Sequence, residues 1–310
     1  MKLYMWIKGN LHCHTTCSDG DSDPSEVCRF YAEHGYHFLS ITDHGKLVPP
    51  GDVDAHGLLL IPGEELHASP IDAPGVPIHV NGFAISETVD CQPGPHRAGT
   101  IQNCVDAVVA AGGVAQINHP NWHYAFNHDD IGGVSGCRLI EVYNGHPDVR
   151  NDGDAEHISV EQMWDHLLSR GRLYYATAVD DAHRFLEFAP HRANPLRGWV
   201  WTHVNELTVE AVLGALSAGD FYASTGVELD DVTRDGRVLR VRIRPEPAKD
   251  YTIRFIGRCG RVVHECDSTE AELALDSEED NAYLRAKIIA SDGTCAWTQP
   301  VFAARLAEEP

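Results

Sequence analysis

The sequence predicts an α/β fold, with helices wrapped around a parallel sheet or barrel, followed by a small antiparallel β-sandwich. Three observations carry this expectation. Short β-rich apolar runs alternate with helix-period segments through about the first two thirds of the chain, and capping and stop residues punctuate the helices. From about residue 227 the helical period disappears, and alternating strands separated by turn dipeptides replace it. The expected division is therefore an α/β part at 1–226 and a sandwich-like part at 227–310.

Taken in order, the strands are read at 6–11, 38–42, 58–61, 78–84, 114–117, 138–142 and 173–179, with FYAS at 221–224 closing the set. Between the first two, Asp23 is placed to cap a helix, Pro24 to occupy its first turn and Glu26 to complete the cap. Val27, Phe30 and Tyr31 form one face before Gly35. The same logic recurs from Ser159, with Gln162 three residues on, a stripe of Val160, Met163, Trp164, Leu167 and Leu168, and Gly171 as the stop. Helices at 100–111 and 208–218 carry Thr100 and Thr208 as expected caps. In the last part the strands are RVLRVRI, YTIRFIG, RVVHEC, AELALD, AYLRAKIIA and CAWTQPVFA, with Asp235-Gly236 and Asp292-Gly293 as turn signals. The sequence has no internal repeat, and its low-complexity content is the short acidic stretch Ser277 to Asp280.

Composition narrows the function classes. The chain has 310 residues, 43% of them hydrophobic, which is enough for a full core. The opening MKLYMWIKGN lacks the apolar stretch of a secretory signal, and no later run approaches the length of a membrane span, so a soluble cytoplasmic protein is expected. Nine scattered cysteines, an odd number, argue for reduced thiols rather than a disulfide framework. A formal net charge of −22 disfavours a nucleic-acid partner, because that contact needs a cationic face. A small-molecule substrate is expected instead, and divalent ions would let one pocket attract an anion despite the acidic surface.

The chemistry lies in a recurring placement. LHCHTTCSDG puts His12 and His14 at i and i+2 as a strand ends, so both side chains project to one side. Among nineteen histidines one such pair is unremarkable. However, metal-ligand residue types recur at or near strand ends: Asp43 and His44 after FLSIT, Glu64 and Glu65 after LLLI, His79 in IHVNGFA, His119 after VAQI, Glu141 in LIEVY, and Asp181 and His183 after YYATAV. In α/β barrels that rim is where active sites are assembled.

These motifs, HCH with SDG, TDHG, PGEE, HVNGF, INHP and DDAH, resemble those of the polymerase and histidinol phosphatase (PHP) family of metal-dependent hydrolases, over about residues 6–226. The resemblance implies a distorted (β/α)7 barrel. It also implies that His12, His14, Glu65 and Asp181 hold one metal, that Glu65 bridges to a second held by His79 and His119, and that Asp19, His44 and His183 hold a third. Glu65 is preferred to Glu64 because the family's glutamate stands two residues after the glycine, here Gly63. The segment from WTHVNELTVEAVLGAL to GVEL, together with the C-terminal strands, is similar to a branch containing a carbaryl hydrolase and phosphoesterases.

Mixed histidine and carboxylate ligation suits two or three divalent ions of Zn, Mn or Fe, which acidify water without any serine or cysteine nucleophile. The expectation is a metal-dependent hydrolase, with a phosphoester as the leading substrate. A carboxyl ester or carbamate hydrolase and a non-catalytic metal-stabilised binding module are the alternatives. Glu141 and Asn144 are read as supporting a ligand histidine from behind. Arg184, Arg192 and Arg197 are candidate contacts for a substrate anion, although an arginine on a loop is more often simply solvated. Cys13, and less clearly Cys17, are read as packing, and His34, His37, His56, His157, His166, His191 and His264 as ordinary surface or core histidines. His67 and His123 lie close to ligand segments. The sequence has no Walker loop, dinucleotide glycine fingerprint or GxSxG elbow.

Overall fold

A computed structural model describes residues 4–276 and 282–303, so the acidic stretch Ser277 to Asp280 lies outside the described residues. The strands of the first part are β1 (Met5–Asn10), β2 (Phe38–Leu39), β3 (Leu59–Leu60), β4 (Gly63–Ala68), β5 (Ile78–Phe83), β6 (Val114–Ile117), β7 (Leu139–Asn144), β8 (Tyr175–Val179), β9 (Trp199–Val204) and β10 (Phe221–Ser224). The later strands are β11 (Leu229–Asp235), β12 (Val238–Ile243), β13 (Tyr251–Gly257), β14 (Arg261–Asp267), β15 (Glu270–Ala274), β16 (Tyr283–Ala290), β17 (Cys295–Thr298) and β18 (Val301–Phe302). The helices are α1 (Pro24–Glu33), α2 (Arg97–Ala110), the four-residue α3 (His128–Ile131), α4 (Val160–Ser169) and α5 (Val209–Ala218).

The fold is mixed α/β, but the strands do not close into the expected (β/α)7 barrel. One sheet runs β4-β5-β6-β7-β8, with its first two pairings antiparallel and its last two parallel. The other is ten-stranded, running β14-β13-β16-β17-β10-β9-β1-β2-β3, with β18 beside β16. Between them the described residues show isolated parallel bridges, Cys13 with Ala182 and His44 with Glu65. The reason is local. Past β1 and β2, side chains take up main-chain groups that a longer ladder would have paired: Asn10 Oδ1 accepts from the His12 amide and Thr42 Oγ1 from the Cys13 amide. Past Asn10 the regular ladder gives way to single main-chain bonds, Thr42 N to Cys13 O and His14 N to Ala182 O.

The helix signals largely hold. Asp23 caps α1 by accepting from the Ser25 amide, with Pro24 at the start, whereas Glu26 pairs with Arg29 instead of completing a box. Ser159 and Gln162 form a reciprocal capping box on α4, and Thr208 caps α5. The start of α2 is corrected: His96 is its cap, and Thr100 lies one turn inside, its hydroxyl donating to His96 O. Replacing Ser159 with alanine removes an acceptor for the helix's free amides and is expected to cost about 1 kcal/mol, read as a lower melting temperature.

Beyond residue 226 every strand pairing is antiparallel, but the ten-stranded sheet passes straight through that point, since β17 pairs with β10. The three-stranded sheet β11-β12-β15 packs on its distal half, with Leu239, Val241 and Ile243 meeting Ile253, Phe255, Leu284 and Ile288. Two buried polar links fasten this end to the rest. Gln299 accepts from the Ala176 amide at 2.8 Å and donates to Ala176 O at 2.9 Å, completing an unpaired stretch of β8. Arg285 on β16 makes a two-pronged contact with Asp165 of α4, with both bonds 2.7 Å, and also reaches Glu161 at 2.9 Å. Tyr283 donates to the same Asp165 oxygen at 2.7 Å. Gly260, at φ +71°, lets the chain pass so close that a Cβ would stand 2.9 Å from Asp165 Oδ2.

The expectation of reduced thiols needs one correction. Cys91 and Cys104 form a disulfide between the β5–α2 loop and α2, with Cα atoms 4.8 Å apart, while the other seven cysteines are free. No helix among the described residues is long and apolar enough to cross a membrane.

Candidate metal centre

The nine candidate ligands, His12, His14, Asp19, His44, Glu65, His79, His119, Asp181 and His183, come together at one rim of the two sheets. His12 and His14 follow β1, and the bridge between Cys13 and Ala182 sets them beside Asp181. Strand alternation turns Cys13 the opposite way, into a cluster with Val27, Tyr31 and Leu39. Alternation also separates the paired glutamates. Glu65 points into the centre, whereas Glu64 turns away and accepts from the Val89 amide at 2.5 Å. Asp43 does not enter the cluster. It accepts from the Thr15 amide and hydroxyl at 2.8 and 2.7 Å and from Ser18 Oγ at 2.5 Å, pinning the turn that carries His14 and Asp19.

Glu65 is the hub. Its Oε1 lies 2.9 Å from His79 Nδ1 and 3.1 Å from His119 Nε2; its Oε2 lies 3.4 Å from both His12 Nε2 and His14 Nε2 and 3.1 Å from His44 Nδ1. Burial alone would raise this carboxyl, but His79, His12 and His119 overrule it and hold it well below the ordinary range. Burial pushes His14 and His79 down to about 4, so both are neutral and keep a lone pair at physiological pH. Asp181 is held well below its ordinary value against its burial, chiefly by His12 and His14. Asp19, half-exposed at the edge, faces His183 Nε2 at 3.4 Å, His14 Nδ1 at 3.6 Å and His44 Nε2 at 3.7 Å.

The spacing of several of these contacts also fits a cation. His12 Nε2 and His14 Nε2 face each other at 3.2 Å, and Asp181 Oδ1 lies 3.3 and 3.2 Å from them. With Glu65 Oε2, that gives five ligand-to-ligand separations of 3.2–3.4 Å. An ion bound tetrahedrally at about 2.0–2.1 Å requires edges of roughly 3.3–3.4 Å. His79 Nδ1, buried and 2.9 Å from Glu65, makes no hydrogen bond. Donor atoms converge in four overlapping groups among the described residues: His14, Asp19, His44 and His183; His12, His14 and Glu65; His12, His119 and Asp181; and His44, Glu65 and His79.

Behind these side chains stands a polar layer. Glu141 Oε1 faces His12 Nδ1 at 2.7 Å and accepts from Gln116 at 3.0 Å, while Oε2 accepts from the His119 amide at 2.8 Å and from Asn144 at 2.9 Å. Asn144 also donates to Asp181 Oδ2 at 3.1 Å, and Asn118 to Glu65 Oε1 at 2.8 Å. With its Nδ1–H donated to Glu141, His12 turns its Nε2 into the cluster. A Glu141→Gln variant is therefore expected to bind metal about 10–100-fold more weakly, measured by competition against a chelating dye.

The cluster floors a cavity of about 470 Å³. Its walls include Trp122, His146, Pro147, Arg184, His191 and Arg192. Arg184 Nη1 donates to Asp19 O at 2.9 Å and to His183 O at 3.2 Å, and no carboxylate lies within ion-pair distance among the described residues. Arg192 is paired with Glu187 at 2.6 Å. Arg197 does not line the cavity; its guanidinium holds the carbonyls of Gly145, Ala189 and Pro190. His67 and His123 stand outside the wall, His67 facing His79 Nε2 at 2.6 Å and His123 beside Trp122. Sequence reasoning passed over Trp122, His146, Gln116 and Asn118. The polar pair at i and i+2 in QIN was a usable signal for the last two.

No family model matches the sequence, and no curated protein matches it. Among solved structures, a two-domain protein from Bacteroides vulgatus containing a predicted PHP-like metal-dependent phosphoesterase aligns with a TM-score of 0.52 at 15% identity, covering 96% of each chain. An amidohydrolase from Chromobacterium violaceum with bound sulfate and no metal aligns at 0.41 and 16% identity, over 61% of this chain and 94% of that one. A protein from Bifidobacterium adolescentis described as a metal-dependent phosphoesterase aligns at 0.43 and 16%, over 60% of this chain and 89% of its own. The chain shares the fold of the two-domain Bacteroides vulgatus protein along nearly its whole length.

Proposed function

We propose that this protein is a metal-dependent hydrolase that cleaves a small phosphoester, with His12, His14, Asp19, His44, Glu65, His79, His119, Asp181 and His183 as ligands. The observation that carries this is the set of ligand atoms around Glu65, whose separations of 3.2–3.4 Å match the edges of a tetrahedron around a bound cation. Two or three divalent ions of Zn, Mn or Fe held there supply Lewis acidity and acidify water, so that it attacks at neutral pH. The chain's own part is to fix that geometry. Glu141 and Asn144 orient His12 and Asp181, and the neutral state of His14 and His79 keeps their lone pairs available. Arg184 supports an anionic substrate: in a chain with 46 acidic and 24 basic side chains, it faces the cavity with no acidic partner among the described residues.

The test is metal analysis of the purified protein, followed by assays of aryl phosphates and nucleotides against naphthyl acetate and carbamates, with Mn or Zn added. Turnover of phosphoesters is the expected result. A metal-loaded protein inert to every phosphoester but active on a carbamate would replace this reading with the ester or carbamate one.

A further inference from the structure

One histidine in the cavity wall belongs to none of the convergent donor groups. His146 stands two residues past the end of β7, and its surroundings fix both its position and its tautomer. Its amide donates to Asn144 Oδ1 at 2.8 Å, and the Asn144 side chain is itself held by Glu141 and Asp181. Asn144 and Asn151 exchange two further bonds, of 3.0 and 2.8 Å, that close the loop. Gly145 lets the chain press inward, since a Cβ there would lie 2.8 Å from Arg197 Cβ and 2.9 Å from Asp180 O, and Arg197 Nη1 grips Gly145 O at 2.7 Å. The Asp148 amide donates to His146 Nδ1 at 3.2 Å. With that lone pair engaged, the proton of the neutral ring sits on Nε2, which makes no hydrogen bond among the described residues. The ring stands edge-on to His183, 5.5 Å between centroids.

We propose that His146 is a catalytic residue whose Nε2–H hydrogen-bonds the departing oxygen of the phosphoester. This inference rests on the hydrolase reading above. In the reaction the oxygen of water bonds to phosphorus, and the bond from phosphorus to the ester oxygen breaks with its electron pair going to that oxygen. The proton lost by water ends on the released alcohol. The acids and imidazoles of the floor are arranged around Glu65, whereas His146 is a fixed donor on the wall, free to meet the charge that grows on the leaving group. A donor of this kind matters most when the leaving group is poor and least when it stabilises its own charge.

The experiment compares wild type, His146→Leu and His146→Gln on phenyl phosphate and 4-nitrophenyl phosphate, with metal content and melting temperature measured for each protein. The expected result is that His146→Leu lowers kcat on phenyl phosphate about 100-fold and on 4-nitrophenyl phosphate much less, with metal content unchanged. His146→Gln, whose amide places a donor near the former Nε2, should recover part of the loss. Equal losses on both substrates, a rise confined to KM, or loss of metal in His146→Leu would each overturn the assignment while leaving the hydrolase reading intact. A wild-type protein inert to both esters would overturn the phosphoester reading and this assignment together.

Discussion

A Glu65→Gln variant is expected to lose most of its bound metal and to hydrolyse its substrate about a thousand-fold more slowly than wild type. The substitution keeps the shape of the side chain but removes the one charge that five imidazole nitrogens approach within 3.4 Å. Its two oxygens serve different partners, Oε1 facing His79 and His119 and Oε2 facing His12, His14 and His44. Loss of this single carboxylate should therefore affect more than one ion, unlike a change at Asp19 on the exposed edge. Metal per chain, measured by atomic emission, should drop further in Glu65→Gln than in Asp19→Asn. Full retention of metal and turnover by Glu65→Gln would exclude a shared-ligand role.

The largest effect on stability is expected at Arg285, which ties β16 to α4. This side chain is 1% exposed, lies over the Trp164 ring at 4.6 Å, and is held by Asp165 and Glu161. Replacing it with alanine leaves the buried Asp165 carboxylate facing a gap, while Glu161 keeps Lys287, and the expected cost is about 3–5 kcal/mol. For a chain of this size that corresponds to a fall in melting temperature of roughly 10 °C. An Arg285→Met, Asp165→Leu double variant should recover much of the loss, because removing both partners of a buried pair is far less costly than removing one. Turnover per bound metal below the melting range should be unchanged in both. Acid should mimic the single change in part. Burial raises Glu161 but Arg285 and Lys287 overrule it and bring it down from 4.5 to about 2, so its contribution is complete above pH 4.5 and fades as pH falls toward 2.

How much of this was legible in the sequence depended on whether the signal was local. The HCH pair could be read because a period of two decides which side chains share a face, and Cys13 turns away for the same reason. The spacing from Gly63 picked out Glu65, yet GEELHA was not read as a strand. One side carries Glu65 and the exposed His67, and on the other only Leu66 and Ala68 reach the apolar core, too short a hydrophobic alternation to mark a strand. WVWTHV at β9 was not among the strands read, although it alternates, with Val200, Thr202 and Val204 buried and the larger residues less so. Thr100 and His96 both suit a helix cap, and only the loop from Gly94 decides between them. Closure of the sheets and the pairing of β10 with β17 are long-range choices that no window of sequence contains. His146 escaped notice because its role is fixed by the loop around it and not by a strand end.

The continuity of the ten-stranded sheet bears on how the protein is made. β1 is made well before the strand that covers its other edge, which begins at Trp199, and β10, paired with β9 on one side, has its second edge covered by β17. Until then the nascent chain carries unpaired strand edges, and the Ala176 main chain waits for Gln299. A chain stopped at residue 226 would hold all nine candidate ligands and still present β10 as an open edge, so it should be recovered mainly as aggregate. The ligands are complete by residue 183, whereas the sheet that supports them waits for β17 at Cys295–Thr298.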